Sequence, residues 1–156
     1  MMRPRPVAIV FGLVAAATAY IITVNAIGEG WKYLFIPSGV AAFGWMQLCW
    51  DKLKCAERRS FWKGGICGVM AVLLSYPTMW WLAILGNWLF GVKSSLGDEA
   101  VSPFSMAGIQ AVWIFSLVGV VLTGALTLPV GFFLGGFFGR GRANAQLDLA
   151  NTQVHR

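Results

Sequence analysis

Residues Gly64 to Phe90 read GGICGVMAVLLSYPTMWWLAILGNWLF, and not one of them is charged. A hydrocarbon core about 30 Å thick is crossed by roughly 20 helical residues. The stretch is therefore longer than a crossing needs, and longer than most helices buried in water-soluble proteins, which average about 10 to 14 residues. The rest of the chain repeats the pattern. Of 156 residues, 58% are hydrophobic and 12% charged, about half the charged share of an ordinary soluble domain. Mean hydropathy is +0.69, and the chain belongs to lipid rather than water.

Three further apolar runs flank the first, at about 7–27, 34–50 and 106–138. None shows the two-residue alternation of a barrel strand, and all exceed the roughly 10 residues such a strand uses. In lipid the backbone must satisfy its own hydrogen bonds, so each run is expected to be helical despite its Gly and β-branched content. The expected fold class is an all-α integral membrane protein. Residues 1–138 would form one antiparallel bundle of four transmembrane helices, and 139–156 a polar cytoplasmic tail.

Lys and Arg set the orientation. Arg3 and Arg5 precede the first run; Lys52, Lys54, Arg58, Arg59 and Lys63 link the second and third; Arg140, Arg142 and Arg156 follow the fourth. Only Lys32 and Lys93 fall on the other side. The positive-inside rule places both termini in the cytoplasm. The same basic groups are expected to meet anionic lipid headgroups; distributed this way, the net charge of +6 is a topology signal and not a nucleic-acid surface. A second reading of the N-terminus stays open. A basic start, an apolar run and Val24-Asn25-Ala26 also describe a secretory signal cleaved after Ala26, although the run exceeds the usual 7 to 15 apolar residues. Cleavage would leave three helices.

Aromatic residues mark the ends of the runs. Trp31, Tyr33 and Phe35 begin the second, Trp50 and Trp62 bracket the basic link, and Trp88 and Phe90 end the third, as expected for rings at headgroup level. Trp80, Trp81 and Trp113 lie deeper.

Small residues carry the most specific packing signal. Gly12, Ala16, Ala19 and Thr23, with Ala8 and Ala26 at either end, recur at steps of three and four and share one helix face. In the fourth run Ser116, Gly119, Thr123, Thr127, Gly131, Gly135 and Gly139 do the same, with two overlapping G-x-x-x-G units that allow backbones to approach closely. This row reads as intramolecular packing, as the seam of a homo-oligomer, or as a gap that admits a substrate. Pro37, Pro77 and Pro129 each remove a helical hydrogen bond. A break is expected at Pro129, with Gly131 to Phe138 lying along the interface. Asn25, Asn87 and Gln110 all fall near outer ends and are expected to face one another as a polar cluster.

The acids argue by exclusion. Glu29, Asp51, Glu57, Asp98, Glu99 and Asp148 all lie in links or the tail. Proton-coupled transport normally needs an ionisable group inside the membrane. The chain superficially resembles the small multidrug antiporters in having four short helices, but the glutamate they embed in the first helix is missing. Cys49, Cys55 and Cys67 map near the cytoplasmic face, where thiols stay reduced, and fit neither a zinc pattern nor the outward-facing pairs of quinone-reducing thiol oxidases. His155 is the sole histidine. No nucleotide loop, nucleophile elbow or metalloprotease motif occurs. No catalytic, cofactor-binding or metal-ligating residue is expected, nor any cofactor. The sequence points to a small non-catalytic subunit that associates with other membrane proteins or with itself. The alternative is a homo-oligomeric channel or transport component. Short links without glycosylation sequons point to a bacterial inner membrane.

Overall fold

A computed structural model describes residues 6–24, 33–52, 60–90 and 101–154, with 141–154 described as backbone helix only. Four helices follow one another: α1 (Pro6–Val24), α2 (Phe35–Lys52), α3 (Phe61–Leu89) and α4 (Met106–Val154). No strand occurs among the described residues.

Three of the four, Pro6–Val24, Phe61–Leu89 and Met106–Arg140, are long and apolar enough to cross a membrane. The exception is α2. Its 18 residues rise about 27 Å, but Pro37, Ser38, Gln47, Asp51 and Lys52 dilute its apolar content. The expected four-span count therefore stands at three on length and composition.

Two other expectations differ from the structure. The fourth helix does not break at Pro129; it continues to Val154 as one helix of 49 residues, so the segment from 139, expected as a polar tail, is helical to that point. Proline interrupts one backbone hydrogen bond, and neighbouring helices make that tolerable in a membrane helix. Here α3 lies directly against the residues after Pro129 and holds them in line. At the other end of α4, Ser105 caps the helix by accepting a hydrogen bond from the Gly108 N–H at 3.0 Å.

Packing runs from neighbour to neighbour, α1 on α2, α2 on α3, and α3 on α4, whereas α1 and α4 scarcely touch. The two close crossings are built from glycine. Between α3 and α4, an added Cβ at Gly64 or Gly68 would collide with the carbonyl oxygens of Gly135 and Gly131, and one at Gly139 would lie 3.1 Å from the Ser60 carbonyl. Between α1 and α2, a Cβ on Gly12 would lie 3.0 Å from Cβ of Phe43, and one on Gly39 would lie 3.1 Å from Cβ of Ala16. In both places backbones meet where a larger residue would hold them apart.

The core gathers at one end of the bundle. Val7, Ala8 and Phe11 of α1 meet Met46, Cys49 and Trp50 of α2 and Cys67 and Ala71 of α3, with Leu134 and Phe138 of α4 against them. A layer of rings covers the neighbouring surface, where Phe61 stands 5.6 Å from Phe132 and 6.0 Å from Phe137, and Trp62 stands 5.6 Å from Phe132. Cys67 is disulfide-bonded, unlike the reduced thiol expected from the sequence, and Cys49 is a buried free thiol.

Candidate functional site

Away from that core the helices spread, and the reason is the size of the side chains between them. Along α3 and α4 the glycine contacts give way to rings. Tyr76 lies over Gly119, whose added Cβ would come within 3.1 Å of the ring, and Trp80 stacks on Phe115 at 4.9 Å. Gly12 and Ala16 on the small face of α1 are already occupied by α2. The part of α4 that α1 would have to meet carries Val118, Leu122 and Leu126, which stay 48%, 72% and 70% exposed.

The result is a groove of about 480 Å³ between α1 and α4, floored by α3. Thr18, Ala19 and Ile22 form one wall, Leu122, Leu126 and Val130 the other, and Tyr76 and Met79 lie on the floor. Among the described residues Tyr76 is the sole lining side chain that can ionise, and the walls are overwhelmingly apolar.

Hydroxyl groups interrupt the apolar lining, and their protons are already engaged. Thr18 donates to the Val14 carbonyl at 2.8 Å, Thr23 to Tyr20 at 3.2 Å, and Ser75 to Val72 at 2.7 Å. Ser38 of α2 donates across to the Ala15 carbonyl of α1 at 3.4 Å. On the floor a hub joins α3 to α4. The Tyr76 hydroxyl lies 2.6 Å from Thr123 Oγ1 and 2.8 Å from Thr127 Oγ1. A second polar tie, outside the groove lining, links α2 to α3, with Trp45 Nε1 donating to Thr78 Oγ1 at 2.7 Å.

The residues singled out from sequence distribute as follows. Gly12 and Ala16 meet α2; Ala19 and Thr23 line the groove; Gly119 and Thr123 receive Tyr76; Gly131, Gly135 and Gly139 meet α3. The structure thus places the glycines of α4 inside the chain's own bundle. Of the expected polar cluster, Asn87 and Gln110 are both exposed, no hydrogen bond joins those two, and Asn25 lies outside the described residues. Sequence reasoning missed the partners of the glycine rows, Gly39 of α2 and the pair Gly64 and Gly68 of α3. The signal was there, since Gly64 and Gly68 form a G-x-x-x-G unit of their own. Tyr76 was not among the residues singled out. Its pairing with two threonines some fifty positions away leaves no local trace.

No protein-family model, no curated protein and no solved structure matches this chain. Its chemistry has to be read from the groove itself. Among the described residues its walls carry no charged side chain and no cluster of metal-ligating groups, and they offer an apolar surface and a few oxygen atoms.

Proposed function

We propose that this chain is a small, non-catalytic integral membrane protein that holds one long apolar molecule, a membrane lipid chain, in the groove between α1 and α4. It would serve as an accessory component of the membrane in which it sits. The observation that carries this reading is the size and lining of the groove. A helix with its side chains is about 10 to 12 Å wide and rises 5.4 Å per turn, so a single turn fills roughly 500 Å³ and a full crossing several times that. The groove, at about 480 Å³, is a fraction of what a whole crossing helix fills. At about 30 Å³ for each water-sized group, it takes an extended chain of around 16 carbon atoms.

The exposed rims of Ile22, Leu122 and Leu126 give such a chain sideways entry from the bilayer. Reconstitution with a phospholipid carrying a photoreactive diazirine in its acyl chain tests the proposal. Cross-links are expected to concentrate on groove residues such as Thr18, Ala19 and Met79, relative to the outward-facing Leu117 and Val121; uniform labelling of all apolar faces would overturn it.

We further propose that α2 completes four spans, with both termini in the cytoplasm of a bacterial inner membrane, on the strength of the ten basic residues gathered on one side. The Cys67 disulfide favours the opposite orientation, because such bonds persist on the oxidising side of a membrane. Reporter fusions separate the two. Activity of a cytoplasmic reporter at the C-terminus, and of an exported one within 91–105, supports the charge argument, and the reverse pattern supports the disulfide.

A further inference from the structure

The groove reading leaves open which apolar molecule is held, and the hydroxyl hub on its floor bears on that. Three hydroxyl groups bring three protons. Four short contacts compete for them: Tyr76 to Thr123 at 2.6 Å, Tyr76 to Thr127 at 2.8 Å, Thr123 Oγ1 to the Gly119 carbonyl at 2.9 Å, and Thr127 Oγ1 to the Thr123 carbonyl at 3.1 Å. Placed on the shorter contacts, the Tyr76 proton goes to Thr123, the Thr127 proton to Tyr76, and the Thr123 proton to Gly119. The carbonyl of Thr123 loses little, since it keeps its place in the helix backbone. Thr127 Oγ1 then donates and accepts nothing. A hydroxyl oxygen has two lone pairs, and the hydroxyl protons of Thr18, Thr23, Ser38 and Ser75 elsewhere on the lining are turned toward main-chain carbonyls. Taken together, these hydroxyls offer acceptors and no spare proton.

Depth matters as well. Tyr76 lies about 20 Å along α3 from either end at 1.5 Å per residue, near the middle of the span, where an unpartnered polar group is at its most unfavourable.

Resting on the groove reading, we propose that the groove selects a neutral long-chain molecule bearing an O–H donor, an alcohol or quinol of isoprenoid or aliphatic type, and that Thr127 Oγ1 accepts that hydrogen bond at mid-depth. An ester or ether chain fills the same volume without supplying the proton. The inference therefore concerns donor chemistry over and above hydrophobic fit.

Farnesol and its methyl ether differ in that one proton and serve as probes. Titration of the full-length protein in mild detergent, read by native mass spectrometry, is expected to show farnesol binding about five- to tenfold more tightly than the ether, the difference one hydrogen bond makes. Thr127→Val should reduce that ratio to near one while leaving ether binding unchanged, and Thr127→Ser should restore it. Equal binding of both probes by the native protein would overturn the donor inference and leave the groove standing. Binding of neither probe would overturn the groove reading itself. A ratio that persists in Thr127→Val would move the acceptor away from Thr127 and refute the assignment made here.

Discussion

The boundary between α3 and α4 and the boundary between α1 and α4 involve the same fourth helix, yet one is closed to backbone contact and the other stands open. The difference lies in what each face of α4 carries. Toward α3 it presents Gly131, Gly135 and Gly139, which lie on Gly64 and Gly68 with no side chain between. Toward α1 it presents Val118, Leu122 and Leu126, and α1 has already turned Gly12 and Ala16 to α2. Lipid tails are as apolar as leucine, so no hydrophobic force closes such a gap; only close packing or hydrogen bonding would. A bundle of this kind closes where glycine permits and stays open where branched residues meet lipid.

The sharpest way to break the comparison is to put a side chain into the closed boundary. Gly135→Leu would force its Cβ into the Gly64 carbonyl, a backbone atom that cannot rotate away. Overpacking a well-filled interior already costs about 1–3 kcal/mol, and contact with backbone should exceed that. Thermal unfolding in detergent should show a loss of folded protein or a fall of many degrees; an unchanged transition and unchanged size on gel filtration would remove glycine contact as the cause of closure.

A smaller effect is expected where the two helices begin to part. Tyr76→Phe deletes a hydroxyl that reaches both Thr123 and Thr127. Interhelical hydrogen bonds inside membranes average about 0.6 kcal/mol, so a loss of roughly 1 kcal/mol is expected for the pair. A double-mutant cycle with Thr123→Val measures it: strong coupling supports the hub, and strict additivity denies it.

The smallest effect serves as the control. An added Cβ at Gly44 meets nothing within 4 Å, so Gly44→Ala should be neutral or stabilising by up to about 1 kcal/mol through helix propensity alone. Destabilisation there would mean that glycine matters in these helices for a reason other than close approach.

Much of this fold is legible in the sequence because its signals are local. The length and charge-free character of 64–90 announce a helix able to span, and the spacing of Gly12 and Ala16, or of Gly131 and Gly135, announces faces that permit close approach. What is not legible is which face meets which. The spacing of Gly131 fits another copy of the chain as well as it fits α3; that its neighbour is Gly68 is seen only once α3 and α4 are packed together. Pro129 misled for a related reason. Its local effect is to weaken one hydrogen bond, but the packing of Gly131 and Gly135 on α3 decides whether the helix bends. The span count is less legible than the helix count, because Ser38, Gln47 and Asp51 dilute the short apolar run of α2 between its aromatic ends, and length and composition single out only the other three helices. The groove was invisible for the simplest reason: it is made by two helices, Pro6–Val24 and Met106–Val154, that lie far apart in the chain and do not touch along most of their length.

The central claim is that the open boundary holds a lipid chain, and the mass of the protein released intact from mild detergent tests it most directly. Ala19 lines the groove, so Ala19→Trp should fill it, while Leu117→Trp on the 63% exposed outer face of α4 should not. The account predicts one retained lipid per native chain, the same for Leu117→Trp, and none for Ala19→Trp. A native chain that emerges bare, or an Ala19→Trp variant that keeps its lipid, would contradict it.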